Sequence, residues 1–197
     1  MDDHDVTIGA DGLARCPWAG SDPLYLAYHD EEWGRQLRGE DALFERICLE
    51  AFQSGLAWIT ILRKREGFRA AFAGFEIAKV AEFGDADVVR LLADEGIVRN
   101  RAKINAAVSN ARAALALDGG LTDLIWSHAP DPKSTAKHGP RSTQEIPATS
   151  PESVALAKAL KKAGFSFVGP TTSYALMQAC GLVNDHLAAC HARSPKK

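Results

Sequence analysis

The 197-residue sequence lacks several features that mark membrane or secreted proteins. It contains no run of about 18 apolar residues, so no segment is predicted to span a membrane. Its first residues are acidic and contain no apolar stretch, unlike a signal peptide, which predicts a cytoplasmic protein. It has only four cysteines, which we expect to be reduced and to bind a metal or pack in the core rather than form disulfides.

The net charge is also small, at −2, which argues against a partner held by bulk charge. This charge is unevenly divided along the chain. Residues 1–60 contain 12 acidic and 4 basic residues, whereas residues 61–197 contain 13 acidic and 19 basic residues. The division weakens the argument against a nucleic-acid partner without reversing it.

Apolar residues make up 46% of the chain, which is enough for a hydrophobic core, and most of them recur at helical spacing. Residues 40–53 are typical of an amphipathic helix. Ser150 and Pro151 are typical of a helix N-cap and first residue, and Thr171-Thr172 is predicted to cap a final helix. Because few stretches alternate with period two, the fold class is predicted to be all-α.

The predicted domain organisation is simple. Residues 1–14 form a flexible N-terminal arm, residues 15–193 form a single domain, and residues 194–197 form a tail. A loop at about 127–150, rich in Pro, Ser, Thr, Lys and His, can divide the domain into two helical lobes.

Four metal-ligand residues lie at the two ends of the sequence: Cys16, His29, His186 and Cys190. The last two are four residues apart, so they can share one face of a helix. Two thiolates and two imidazoles form the tetrahedral set that Zn²⁺ prefers, and such a closed set would be structural rather than catalytic. Spacing alone leaves open the alternative that these are buried thiols and unrelated histidines.

Aromatic residues concentrate near one acid. Glu50 lies beside the apolar face of the predicted helix 40–53, and five Trp and Tyr residues lie between positions 18 and 58: Trp18, Tyr25, Tyr28, Trp33 and Trp58. A carboxylate among aromatic planes suits a flat ligand with amino groups, particularly a cation. The alternative is that the aromatics are core residues and that Glu50 acts as a cap or pairs with an arginine.

The segment from Lys161 to Ser173 joins two predicted helices through a short turn bounded by glycines. Backbone N–H groups at the start of a helix attract anions, and nearby lysines add charge, so this segment is a candidate contact for DNA phosphates. An ordinary turn between packed helices is the alternative. The candidate residues are Lys161, Lys162, Gly164, Gly169, Thr171 and Thr172.

Several motifs in the same order resemble those of the DNA-3-methyladenine glycosylase I family, from about Cys16 to Cys190. They are CPW at 16–18, DPLY at 22–25, YHDEEWG at 28–34, EAFQSGLAW at 50–58 and FVGPTTSYALMQACGLVNDH at 167–186. This family consists of all-helical members of the helix–hairpin–helix glycosylase superfamily.

The resemblance implies a function and a role for each candidate residue. It implies a monofunctional enzyme that flips 3-methyladenine out of double-stranded DNA and hydrolyses its glycosidic bond, with one structural Zn²⁺. We also expect a monomer with no organic cofactor. Cys16, His29, His186 and Cys190 match the family's zinc ligands, and Glu50 matches the acid that binds the base. Tyr28 and Trp58 match the aromatics that stack on the base, with Tyr25, Trp33 and Trp18 lining or supporting the pocket.

Three positions depart from the wider helix–hairpin–helix pattern. Asn184 stands where many relatives have a catalytic aspartate, which fits a base whose bond is already labile. Thr171 stands where bifunctional relatives have a lysine nucleophile, and Phe167 replaces the first glycine of the hairpin. A DNA-damage-binding module without catalysis and a zinc-dependent hydrolase remain as alternative functions.

Overall fold

The computed structural model describes residues 5–131 and 139–193, and this part of the chain is mostly helical. Its α-helices are α1 (Pro23–Glu31), α2 (Glu40–Gln53), α3 (Trp58–Arg63), α4 (Arg65–Ala71), α5 (Ile77–Ala81), α6 (Asp85–Ala93), α7 (Arg101–Leu115), α8 (Gly120–Trp126), α9 (Pro151–Lys162) and α10 (Pro170–Ala179). Short 3₁₀ turns span Pro17–Ala19, Ala73–Phe75 and Thr143–Glu145. None of the described helices is long and apolar enough to cross a membrane.

Helix α2 lies at the centre of the fold and packs against α3, α5, α7, α8 and α10. Its bounds are those predicted from the apolar spacing. The negative charges of Glu40 and Asp41 in the first turn stabilise the positive end of the helix dipole. Most of its residues from Leu43 onward are buried, on every face. Because neighbouring helices surround the second half of α2, the polar residue Glu50 lies in the protein interior.

The predicted start of α9 is confirmed: the Ser150 side chain accepts a hydrogen bond from the backbone N–H of Ser153, and Pro151 is the first helical residue. The predicted start of α10 is wrong. Gly169 is the N-cap residue and Pro170 begins the helix, without a side-chain cap. Proline fits the first turn because its missing N–H has no helical partner there, so the helix begins before the two threonines.

A small two-stranded antiparallel sheet precedes the helices and pairs β1 (Thr7–Ile8) with β2 (Ala14–Arg15). Beside it, the backbone N–H of Asp5 donates to the Arg141 carbonyl at 3.2 Å. The Thr143 hydroxyl donates to the Asp5 carboxylate at 2.8 Å. These contacts tie the N-terminal segment to the 139–146 segment.

Parts of three predicted features lie outside the described residues: positions 1–4 of the arm, positions 132–138 of the loop and the tail at 194–197. The remaining loop residues contain the 3₁₀ turn Thr143–Glu145. The arm's flexibility, the single-domain boundaries and the division into two lobes stay predictions.

Candidate active site and metal centre

A cavity of about 310 Å³ opens between α1, α2, the start of α3 and α10. It brings together Glu50 and all five aromatic residues singled out from the sequence. Its complete lining is Trp18, Tyr25, Tyr28, Trp33, Glu50, Gln53, Trp58, Thr143, Ile146, Ala175 and Gln178. The size and the mixed aromatic and polar lining suit a small planar ligand.

The aromatic rings form a connected wall. The ring centroids of Tyr28 and Trp58 are 5.3 Å apart, and Trp18 contacts both Tyr25 at 5.2 Å and Trp33 at 4.9 Å. Tyr28, Trp33 and Trp58 are buried, so their orientations are held by packing. The indole N–H of Trp58 is buried and has no hydrogen-bond partner among the described residues.

Glu50 is the acid of this cavity and is 5% exposed. Within residues 5–131 and 139–193 it forms no hydrogen bond or ion pair, so the alternative of a paired Glu50 is not what the structure contains. Burial raises the pKa of Glu50 to about 7, while the positive charge of Arg46 acts in the opposite direction. An unpaired buried carboxylate is costly for folding, which is typical of a functional group.

Sequence reasoning missed several lining residues. Gln53 lies three positions after Glu50 on α2, and this helical spacing was a usable signal. Gln178 lines the opposite side from α10, and its amide donates to the Asp185 carboxylate at 2.8 Å. Thr143 and Ile146 come from the irregular 139–146 segment, and no periodic pattern could have placed them at the cavity.

The four predicted metal ligands converge on one buried point. Their donor atoms lie within 4.8 Å of one another, although the chain positions are up to 174 apart. The Cys190 sulfur lies 3.5 Å from Nε2 of His29 and 3.5 Å from Nδ1 of His186, and the Cys16 sulfur lies 3.8 Å from Nδ1 of His186. All four side chains are buried.

These separations fit a tetrahedral metal. Zinc bonds of about 2.3 Å to sulfur and about 2.0–2.1 Å to nitrogen place neighbouring S and N ligands about 3.6 Å apart in a tetrahedron. The Cys16–Cys190 hydrogen bond raises the pKa of Cys16 and lowers that of Cys190, as when two adjacent thiols share one proton. A divalent metal would replace that proton and bind both sulfurs as thiolates.

The outer nitrogen of each histidine is already engaged, which directs the inner one to the ligand cluster. Nε2–H of His186 donates to the Trp33 carbonyl at 3.0 Å, and Nδ1–H of His29 donates to the Asp30 carboxylate at 2.8 Å. Carbonyl and carboxylate oxygens accept, so these contacts select the tautomers whose unprotonated nitrogens face the sulfurs. Nε2 of His29 also accepts from the Cys16 backbone N–H at 3.3 Å. Since Trp33 also lines the cavity, the cluster supports one pocket wall.

Asp30 is the hub of this outer network. It accepts from Arg15 at 2.8 Å, His29 at 2.8 Å and Nε2 of His191 at 2.9 Å. Burial acts to raise its pKa, but the hydrogen bonds from Arg15, His29 and His191 outweigh burial and hold that pKa well below its usual range. The carboxylate therefore stays ionised beside His29.

The helical placement predicted for His186 and Cys190 is wrong. Helix α10 ends at Ala179, and residues 180–193 form turns and loop without helix. The two side chains meet because the loop folds back over Trp33. Asn184 helps to hold this loop: its amide donates to the Arg193 carbonyl at 3.0 Å, and its oxygen accepts from the His186 backbone at 3.3 Å.

The proposed DNA-backbone segment is an exposed turn between α9 and α10, which pack against each other. Lys161 and Lys162 are exposed in the last turn of α9, and Gly164 follows it with φ of +95°. Gly169 caps α10. Thr171 and Thr172 line a second cavity that Glu50 and Gln53 border from the other side, so this turn adjoins the pocket.

Phe167 adopts φ of +59°, the left-handed conformation that favours glycine, and the residue is 39% exposed. The residue at the position of the missing hairpin glycine therefore keeps the backbone shape that glycine would give. Left-handed backbone costs a non-glycine residue on the order of 1 kcal/mol, so packing of Phe165 and Val168 on either side must hold this turn.

Comparisons with known proteins agree with this geometry. Residues 18–194 match the family described as methyladenine glycosylase. DNA-3-methyladenine glycosylase 1 of Escherichia coli (strain K12) is 49% identical over 186 residues, covering 90% of this chain and 96% of that protein. DNA-3-methyladenine glycosylase of Haemophilus influenzae (strain ATCC 51907 / DSM 11121 / KW20 / Rd) is 44% identical over 183 residues, covering 91% and 98%.

A solved structure of a 3-methyladenine DNA glycosylase I variant in complex with 3-methyladenine superposes with a TM-score of 0.84. It is 33% identical, and the match covers 93% of this chain and 99% of that one. The family match at 18–194 spans every residue that lines the cavity. The chain belongs to the methyladenine glycosylase family.

Proposed function

We infer that the protein is a DNA base-excision repair glycosylase that removes 3-methyladenine from alkylated DNA and leaves an abasic site. The observation that carries this function is the unpaired, buried carboxylate of Glu50 in an aromatic cavity of about 310 Å³. The curated relatives bear the same activity in their names, and a structural relative is in complex with 3-methyladenine.

The chemistry of the substrate explains the composition of the cavity. A base inside a duplex is inaccessible, so it must be rotated out of the helix into a pocket. Methylation at N3 gives adenine a positive charge, which weakens its bond to the sugar. Aromatic faces and a carboxylate attract such a cation more strongly than they attract neutral adenine.

We propose that Glu50 binds the extruded base through its exocyclic amino group and charge. Tyr28 and Trp58 would stack on the base, while Tyr25, Trp33 and Trp18 would line or support the pocket. A methyl group alone gives about 1–3 kcal/mol of discrimination, so charge and hydrogen bonding must supply the rest. Water would then attack the sugar carbon as the neutral base leaves.

No second acid is proposed for bond cleavage. Asn184 takes the position of the catalytic aspartate of other helix–hairpin–helix glycosylases, and its amide holds the loop that carries His186. Thr171 takes the position of their lysine nucleophile, so no Schiff base with the sugar is expected. Both replacements support a monofunctional enzyme acting on a labile bond.

We propose that Cys16, His29, His186 and Cys190 hold one structural Zn²⁺. The sulfur and nitrogen separations and the oriented histidines support this assignment. Four protein ligands leave no position for water, which disfavours a zinc-dependent hydrolase. When bound, the metal would fix the loop at 180–193 against α1 and thereby the Trp33 wall.

We propose that the α9–α10 turn is the hairpin of a helix–hairpin–helix motif. Lys161, Lys162, Gly164, Gly169, Thr171 and Thr172 would contact the phosphate backbone of double-stranded DNA there. The exposure of the lysines and the position of the turn beside the pocket support this role. Action as a monomer, a cytoplasmic location and the absence of an organic cofactor stay predictions.

Release of bases from DNA methylated by a simple alkylating agent tests the function, with each base identified chromatographically. The wild-type protein should release 3-methyladenine. Glu50→Ala should lose most of this release with unchanged circular dichroism, while Glu45→Ala, on the same helix and ion-paired to Arg69, should keep it. Binding of methylated DNA without release by the wild type would instead support the binding-module alternative.

A further inference from the structure

Arg46 is a buried arginine directly behind the candidate base pocket. It lies one helical turn before Glu50 on α2 and is 8% exposed. Arginine is rarely buried unless its charge has a partner or a use. The cavity lining does not include Arg46, so a bound base would meet Glu50 and Tyr28 and not the guanidinium itself.

Among the described residues, Arg46 shares its ion-pair partner with another arginine. Its nearest carboxylate is Glu32 at 3.4 Å, and Arg65 binds that carboxylate more closely, at 2.6 and 2.9 Å. Its other contact is Tyr28: one guanidinium nitrogen donates to the hydroxyl at 3.5 Å, and the guanidinium carbon lies 5.6 Å from the ring centroid. Tyrosine is neutral here, because burial raises its pKa far above the usual range.

Glu50 is the other acid near Arg46, four residues along the same helix, where side chains are neighbours. The groups that face Glu50 from the other packed elements are Tyr28 of α1 and Cys180 after α10. Burial raises the pKa of the Cys180 thiol to about 12, so it too is neutral. Among the described residues Arg46 is therefore the cation that acts on Glu50.

We propose that Arg46 is a positioning residue of the base pocket, which keeps Glu50 negatively charged in an apolar interior and orients the Tyr28 hydroxyl beside it. This inference rests on the proposed function, because an ionised carboxylate is what a cationic base requires. Binding of that base would then depend on the positive charge of Arg46, although Arg46 does not contact the base. The pocket then remains competent near neutral pH despite the burial of its acid.

The charge of Glu50 can be followed without any activity. Protein carrying ¹³C-labelled glutamate is titrated by NMR, and the Glu50 carboxyl resonance is assigned by its loss in Glu50→Gln. The wild-type midpoint should lie near pH 7. An opposite charge within a few ångströms lowers a carboxyl pKa by at least about one unit, so Arg46→Gln should raise the midpoint by about one pH unit.

Two further variants separate charge from packing. Arg46→Lys keeps the charge and should hold the midpoint close to that of the wild type. Glu32→Gln removes the carboxylate that competes with Glu50 for Arg46. The positive charge of Arg46 should then stabilise ionised Glu50 more strongly, so the titration midpoint of Glu50 should fall. This second variant changes a partly exposed residue and moves the midpoint in the opposite direction, so it tests the proposal even if Arg46→Gln fails to fold.

Single-turnover release of 3-methyladenine supplies the link to function. At pH 6, Arg46→Gln should be slower than the wild type by roughly tenfold, and the difference should shrink above pH 8. An equal loss at every pH, with an unmoved NMR midpoint, would overturn the proposal and leave Arg46 a packing residue. If the wild type releases no base at any pH, the proposed function fails, and the NMR titration still decides the role of Arg46.

Discussion

Nδ1 of His29 and the Asp30 carboxylate lie 2.8 Å apart, so these two consecutive residues of α1 are hydrogen-bonded to each other. His29 presents its other nitrogen to the Cys190 sulfur at 3.5 Å, while Asp30 is held by Arg15 and His191. A carboxylate behind a metal-binding histidine orients the ring and increases its basicity. The hydrogen bonds therefore connect a largely buried network of Arg15, Asp30 and His191 to the ligand cluster.

This relationship predicts that Asp30→Ala weakens zinc binding by roughly 10–100-fold, because His29 loses its fixed tautomer and orientation. Affinity is measured by competition with a chromophoric chelator. Glu31→Ala is the matched control, since Glu31 is the next residue of the same helix and is exposed. Equal affinity for zinc in the two variants would contradict the proposed role of Asp30.

Glu50→Gln should make the protein more stable while it loses activity. A carboxyl group whose pKa is raised from 4.5 to about 7 on folding binds its proton more tightly in the folded state. The wild type therefore loses stability as pH rises from 4.5 to 7, by on the order of 3 kcal/mol, and loses no more above pH 7. The glutamine variant has no such loss.

Urea unfolding at pH 5 and pH 8 measures this difference. The free energy of unfolding of Glu50→Gln, relative to the wild type, should be larger at pH 8 than at pH 5. The same comparison for Glu45→Gln, whose carboxylate is ion-paired to Arg69, should show no such gain. A pH-independent difference for Glu50→Gln would mean that folding does not raise the pKa of Glu50.

Replacement of Lys161 and Lys162 by alanine should weaken binding to all DNA sequences similarly. Each phosphate contact contributes about 0.9 to the slope of log affinity against log salt, so the double variant should reduce that slope by about 2. Fluorescence anisotropy with a duplex containing an abasic-site analogue measures it. Lys79→Ala, an exposed lysine of α5, should keep the wild-type slope.

Gly181→Ala should destabilise the fold beyond the effect of its backbone angle. A Cβ at Gly181 would lie 2.5 Å from the Arg35 carbonyl carbon and 2.6 Å from its oxygen, and φ is +72°. Gly12 has φ of +77° with nothing within 4 Å of the added atom, so Gly12→Ala isolates the backbone strain. Unfolding free energies should fall by about 1 kcal/mol for Gly12→Ala and by about 1–3 kcal/mol more for Gly181→Ala.

Helices with a strong periodic pattern were predictable from sequence. Helix α2 has the predicted bounds because its apolar residues and its acidic first turn favour the same segment. The composition of the pocket was also accessible, since an acid beside an apolar face and a local concentration of aromatics both point to one cavity. Both predictions depend on residues that are close together in the sequence, where helical periodicity is visible.

The other parts of the site could not be predicted, because residue spacing does not show how loops fold back onto the helices. His186 and Cys190 have the four-residue spacing of a helical pair, yet they reach the cluster from a loop. Thr143 reaches the cavity because Asp5 and Ala188 hold the 139–146 segment, the latter through a 2.7 Å hydrogen bond to the Pro140 carbonyl. The role proposed for Arg46 likewise depends on residues distant in sequence, Tyr28 of α1 and Glu32 just after it.

The ligand cluster also sets an order of events during biosynthesis. Cys190 follows His29 by 161 positions, so translation at about 5–20 residues per second separates them by roughly 8–30 seconds. Until then a nascent chain offers at most three of the four donors, and only two before His186 is made, so it binds metal less tightly. Tight metal retention would therefore report that synthesis has passed Cys190, and the pocket wall at Trp33 would be completed only after that point.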